Sequence, residues 1–180
     1  MIRPFGGKTP RIHPTAFVVD GAVVVGQVEI GPEASVWFGC VVRGDINHIS
    51  IGARTNLQDG VLVHTDRGLN PTIIAEEVSV GHRVILHGCT VGRGALIGMG
   101  AVLLSGSEVG EGAIVGAGAL VPEGMTVPSG MLALGVPARV HRAVTDEEQA
   151  RCGRTVRNYL EYLQAMKDEG FGQPLEPFAP

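Results

Sequence analysis

The chain has 180 residues, a formal net charge of -4, 44% hydrophobic residues and only 4% aromatics. That length suits one domain with a core of Val, Ile, Leu and Ala, and the acidic balance gives no electrostatic reason to expect nucleic acid or an anionic membrane as partner. Cys40, Cys89 and Cys152 are widely spaced and odd in number, with no CxxC, which suits a reduced, cytosolic protein better than a disulfide scaffold. No segment approaches the roughly 20 apolar residues of a membrane span, and "MIRPFGGKTPRIHP" lacks a signal-peptide core. A cytoplasmic, soluble protein is expected.

In chain order, the first signal is a period of six. Aliphatic residues recur at Ile12, Val18, Val24, Ile30, Val36 and Val42. The phase resets after "GDINHIS" and resumes at Ile51, Leu57 and Val63. It breaks again over "HTDRGLNPT" and returns at Ile74, Val80 and Leu86. One five-residue step leads to Val91, and Ile97, Leu103, Val109, Val115, Val121 and Val127 follow unbroken. No amphipathic helix has this period, and a flat sheet would alternate every two residues. Short strands joined by tight turns do fit, coiling so that one aliphatic side chain per hexad points inward and stacked coils share a core. The 27 glycines, spread along the chain, suit repeated tight turns. The pattern resembles the hexapeptide-repeat family. That resemblance implies a left-handed parallel β-helix of triangular section, three hexads per turn, and assembly as a trimer.

The reading is therefore an all-β solenoid, a left-handed parallel β-helix over residues 1–143, ending near "GVPARV". A C-terminal α-helix follows over 144–169. Thr145 with Glu148 three residues on is a capping-box signature, and Val156, Tyr159, Leu160, Leu163 and Met166 recur at helical spacing. Gly170 is placed to stop the helix, and 170–180 reads as an extended tail. The helix is expected to pack along the prism or onto a neighbour, with Tyr159 in that packing.

The phase also places the polar residues. His64 directly follows the inward Val63 and His87 directly follows the inward Leu86, so the two face one side on neighbouring coils. His82, two after Val80, lies nearer a corner and diverges from them within one chain. A spacing of five is therefore poor for one ion in a monomer. It becomes sensible if prisms pack side by side, with His82 of one chain meeting His64 and His87 of the next. Three neutral imidazoles leave an open coordination position, the arrangement of a catalytic rather than a structural zinc site. A second cluster holds Arg43, Asp45, Asn56, Gln58 and Asp59 in otherwise aliphatic coil. Arg43 and Gln58 share the phase of His64, which suggests one polar surface, either an interface network or a site. An Arg43 salt bridge to Asp45 or Asp59 across a subunit contact is expected. His13, His48 and His141 read as solvated or hydrogen-bonded side chains.

"VWFGCVVRGD", "RTNLQDGVLVH" and "VGHRVILHGC" together resemble the gamma-class carbonic anhydrase family, in its short branch of ferripyochelin-binding-like and carnitine or phenylacetate operon proteins. The resemblance implies reversible hydration of CO2 to bicarbonate in a homotrimer, with a metal held by His64 and His87 of one chain and His82 of the next. Zn2+ is the expected ion; Fe2+ or Co2+ would suit the same ligands. Gln58 then corresponds to the residue that hydrogen-bonds the attacking water, with Asn56 beside it, and Arg43, Asp45 and Asp59 to the interface and support residues. The aliphatic rim near Val61 is a place for CO2. One departure stands out: Ile46 follows Asp45 where active relatives carry a glutamate proton shuttle, with His48 or Asp66 as substitutes. Cys89 reads as a buried inert thiol. The rival readings are an acyltransferase, which needs only one histidine as base, a metal-dependent CoA-thioester hydrolase, and a trimer that binds metal without turnover.

Overall fold

A computed structural model describes residues 1–173; the rest of the expected tail, 174–180, lies outside the described residues. The chain winds as a parallel β-solenoid of about seven turns with three faces. The first face stacks Val24, Val42, Val63, Leu86, Leu103 and Val121 in register. The second stacks Ile12, Ile30, Ile51, Ile74, Val91, Val109 and Val127. The third stacks Val18, Val36, Leu57, Val80, Ile97, Val115 and Ala133. Every aliphatic residue that the six-residue phase points inward is buried. Stacking aliphatic side chains on one another fills the narrow interior, with Phe17 and Trp37 the aromatic members of the buried cluster.

The two breaks in phase are excursions at the corner between the first and second faces. Val41–Ile51 is one strand that serves both faces. Its register slips between Gly26 and Val28, where Gly44 and Ile49 are the partners, so residues 45–48 are thrown outward. Gly44 makes this possible, because a Cβ there would lie 2.5 Å from the Gln27 carbonyl oxygen. The second excursion, residues 65–71, folds back over the same corner, with Asn47 Nδ2 donating to the Asp66 carbonyl at 3.2 Å.

The outward columns of the three faces differ in chemistry. On the second face the residues preceding the inward ones include Glu29, Ser50, Ile73, Thr90, Glu108 and Thr126, a mostly polar surface. The third face is partly roofed by the C-terminal helix, Asp146–Asp168. On the first face the column is Val41, Leu62, Ile85, Val102 and Leu120, an aliphatic ladder in continuous register. Leu62 and Ile85 remain 40% and 38% exposed within the chain.

The helix begins as its sequence indicates, with the capping box between Thr145 and Glu148 formed in both directions. Glu148 also takes a bidentate pair from Arg142 at 2.8 Å, and these bonds hold its carboxyl down at about 2. Leu163 is buried, Tyr159 packs edge-on to Trp37 at 5.4 Å, and Cys152 is a buried contact that the helical spacing did not single out. An antiparallel hairpin, Met131–Gly135 with Ala138–Ala143, closes the last turn of the solenoid and covers its edge. Beyond the helix, Gln173 binds the carbonyls of Val18, Val19 and Ala22 in the first coil. No helix among the described residues is long and apolar enough to cross a membrane.

Candidate metal centre

His64 and His87 are direct register partners on adjacent strands, Leu62–His64 and Ile85–His87. Their ring centroids are 5.3 Å apart. With metal–nitrogen bonds of about 2.0–2.1 Å and a near-tetrahedral angle, two imidazoles on one ion place their centroids roughly 5 Å apart, so the pair fits an ion between them. His82 sits five residues before His87, at the opposite edge of the same face, with Nδ1 2.8 Å from Asp59 Oδ2. Among the described residues, no group of three His, Cys, Asp or Glu side chains in one chain converges to hold a metal.

Each of the three rings has a polar neighbour at one nitrogen. A carboxylate only accepts, so each histidine beside one must present N–H to it. Asp45 Oδ1 lies 2.9 Å from His64 Nε2, so in the neutral ring Nδ1 is the nitrogen that keeps a lone pair. Asp59 Oδ2 lies beside Nδ1 of His82 at 2.8 Å, on the exposed side of that edge. His87 Nδ1 meets Ser105 Oγ at 3.0 Å. Neutral imidazoles, each anchored through one nitrogen, are the donor set that a divalent transition metal takes.

The structure divides the remaining candidates into two groups. Arg43 and Asp45 join His64 and His87 at one edge of the first face. Arg43 Nη1 donates to Asp45 Oδ2 at 2.5 Å within the chain, one of the two pairings expected for this arginine. Burial pushes the Asp45 carboxyl up, but hydrogen bonds from His64 and Arg43 outweigh it and hold the group below the ordinary range. Asn56, Gln58 and Asp59 lie with His82 at the other edge. Gln58 Nε2 donates to Asn56 Oδ1 at 3.1 Å, and Asn56 Nδ2 donates to Ser79 Oγ at 3.0 Å, all of them buried. The single polar surface suggested by equal phase is therefore two. One hexad advances the chain by one face, so residues six apart share a phase but not a side, and only three hexads return to it.

Several neighbouring expectations resolve as well. Val61 is fully buried and forms no rim; the exposed aliphatic there is Leu62. Cys89 is buried and its thiol is pushed up to about 12 by desolvation. Tyr159 packs against Trp37 and Tyr162, and burial, with a smaller contribution from the Asp59 charge, raises its hydroxyl to about 12. Ser105 escaped the sequence reading because a serine two after an inward leucine carries no motif.

The pattern for bacterial transferase hexapeptide (six repeats) matches residues 88–123. The chain is 42% identical to gamma carbonic anhydrase 2, mitochondrial, of Arabidopsis thaliana over 90% of its length, though it spans only 60% of that longer relative. It is 45% identical to a carbonic anhydrase of Geobacillus kaustophilus, with 94% of each chain covered. The chain belongs to the gamma-class carbonic anhydrase-like family. Within the structures of such hexapeptide-repeat proteins, an acetyltransferase-named protein of Bacillus cereus superposes with a TM-score of 0.92 at 43% identity, covering 94% of this chain and 98% of the other.

Proposed function

We propose that this member of the gamma-class carbonic anhydrase-like family hydrates CO2 reversibly to bicarbonate at metal sites between the subunits of a homotrimer. The observation that carries the reading is the division of the histidines: a pair, His64 and His87, at one edge of an aliphatic face and His82 at the other. A face with complementary halves at its two edges is completed by a head-to-tail partner, and a rotation of one third of a turn between neighbours closes such contacts into a ring of three. His64 and His87 of one chain and His82 of the partner subunit would hold the ion. A divalent metal there lowers the pKa of water from about 15.7 to about 7, a value the general case of carbonic anhydrase itself exemplifies.

The chain's own residues would do the rest. Gln58, held through Asn56 and Ser79, keeps its Oε1 free to accept a hydrogen bond from the attacking oxygen and so to aim its lone pair at carbon. Leu62 and Ile85 provide an apolar wall for CO2. Arg43, on Asp45 and half-exposed, places a positive charge where bicarbonate develops its negative one. Asp45 and Asp59 hold two of the imidazoles. Ile46, exposed at the tip of the 45–48 excursion, offers no proton acceptor, so turnover is expected to depend on external buffer. Zn2+ is the proposed ion, with Fe2+ and Co2+ as alternatives; a cytoplasmic setting suits the three reduced thiols.

Stopped-flow CO2 hydration on zinc- and cobalt-loaded protein tests this, run across increasing imidazole. A rate above background that climbs with imidazole is the expected result. Bound metal with no rate above background would overturn it. That result would favour a thioester hydrolase or a non-catalytic metal-binding trimer, and metal-independent acyl transfer would favour the acetyltransferase name of the B. cereus neighbour.

A further inference from the structure

The C-terminal helix does not cover the whole third face. Between it and the corner that carries His82 lies a groove of about 530 Å3, with Gln58 and Ser79 at one end. Its floor is formed by Gly81, Gly98 and Gly116, where a Cβ would strike the next coil. Its outer wall holds Met99 and Leu134, which are 59% and 41% exposed. The His82 carbonyl accepts from the Gly100 amide at 2.8 Å, so Met99 sits at the same corner one coil on. At the opposite edge of the first face a second large apolar side chain faces solvent: Leu69, in the 65–71 excursion, is 88% exposed. That excursion is braced. Asp66 Oδ1 accepts from the Arg67 amide at 2.7 Å, and the Asp66 amide donates to the Asn70 carbonyl at 3.2 Å. Asn70 rests on the corner, since a Cβ on Gly88 would lie 3.1 Å from Asn70 Cβ and one on Gly106 would lie 3.8 Å from Asn70 Oδ1. Bonded backbone therefore holds Leu69 out in water.

We propose that Leu69 seats in this groove on the neighbouring copy of the chain, against Met99, so that the subunit contact continues round the corner onto the helix side. The inference rests on the ring of three proposed above, in which His64 and His87 of one chain meet His82 of the next. Level and reach both point to this occupant. Rotation about an axis parallel to the solenoid leaves every residue at its own height. Met99 and Gly106 flank one strand of the first face, Val102–Leu103, so the loop resting on Gly106 is level with Met99. Met99 lies one strand spacing, about 4.8 Å, beyond His82, and the five residues from His64 to Leu69 span at most about 17 Å. The chemistry matches as well, because an exposed leucine at one edge of the face meets an exposed methionine over an apolar floor at the other. Seated there, the partner's Leu69 shields the Gln58 end of the groove from water and becomes part of the wall of the site. The excursion at 65–71, which breaks the repeat, thus serves the neighbouring chain.

Cross-linking reads the contact without metal or turnover. Leu69→Cys and Met99→Cys are combined in one chain and treated with a short bismaleimide, at a concentration where sedimentation shows the variant assembled. The native thiols, Cys40, Cys89 and Cys152, are buried. Each subunit then links head to tail to both neighbours, so a denaturing gel should show covalent trimer, and neither single variant should. Leu69→Ala should weaken association about 10-fold per contact and about 10^3-fold over the three contacts of a ring, read by sedimentation velocity over a dilution series. Leu69→Met, which keeps the apolar bulk, should stay near wild type. An assembled trimer that gives no covalent trimer, or whose association Leu69→Ala leaves unchanged, overturns the proposal and leaves the groove to a separate apolar molecule. Cross-linked species that stop at the dimer would overturn the ring and keep a two-fold version of the contact. A wild type that is monomeric at every concentration would remove the trimer reading and this inference together.

Discussion

Replacing Leu62 and Ile85 together by alanine is expected to dissociate the proposed trimer while leaving each chain folded. Both side chains point away from the core, beside the inward Val63 and Leu86 that stay in place. Fully burying a leucine or isoleucine stabilises by about 1.5–3 kcal/mol. Within one chain these two remain 40% and 38% exposed, so roughly 0.6–1.2 kcal/mol per side chain remains to be gained at a subunit contact. The pair then contributes roughly 1–2 kcal/mol per interface, and three interfaces contribute roughly 3–6 kcal/mol per trimer. That corresponds to a loss of about 10^2- to 10^4-fold in trimer association. Sedimentation velocity over a dilution series reads it, with circular dichroism to verify the fold. Glu108→Ala with Thr126→Ala, on the mostly polar second face, is the control and should leave the mass unchanged. A double variant that keeps wild-type mass at every dilution would refute the assignment of the aliphatic face to the interface.

The other expectations are briefer. His82→Ala should abolish zinc uptake, measured by plasma emission on dialysed protein, without altering the β-sheet signal; full metal content would show that the ion needs only one chain. Leu86→Ala, at a fully buried rung, should cost about 2–5 kcal/mol in urea unfolding, because its neighbours stacked above and below cannot close the cavity. Acid should release the C-terminal helix. Glu148 titrates near 4.5 when unfolded and about 2 in place, so its contribution is complete above pH 4.5 and disappears as pH falls toward 2. Helical ellipticity should drop in that window in wild type, and Glu148→Gln should show no such step.

Much of the solenoid was legible because a hexad coil makes one demand at every sixth residue, and Val, Ile or Leu answers it from Ile12 to Val127. The capping box at Thr145 and Glu148 was equally local, since donor and acceptor lie three residues apart. The pairing of His64 with His87 followed from phase once the breaks were placed, because both sit one residue after a stacked aliphatic. Phase placed Arg43 correctly beside His64 but misled for Gln58, which shares it and falls on another face, since phase repeats three times per turn.

By itself, then, the sequence determined the inward column, the end of the coil and the start of the helix, because each depends on residues near one another in the chain. It also carried the aliphatic column of the first face, Val41, Leu62, Ile85, Val102 and Leu120, although only the three-faced winding set those residues side by side. Tertiary structure alone decided the partners of the histidines. Asp59 reaches His82 across 23 residues and Ser105 reaches His87 across 18, distances set by how many residues each turn consumes. The insertions at 45–48 and 65–71 change that number, and no local pattern in the sequence reports where an excursion comes to rest.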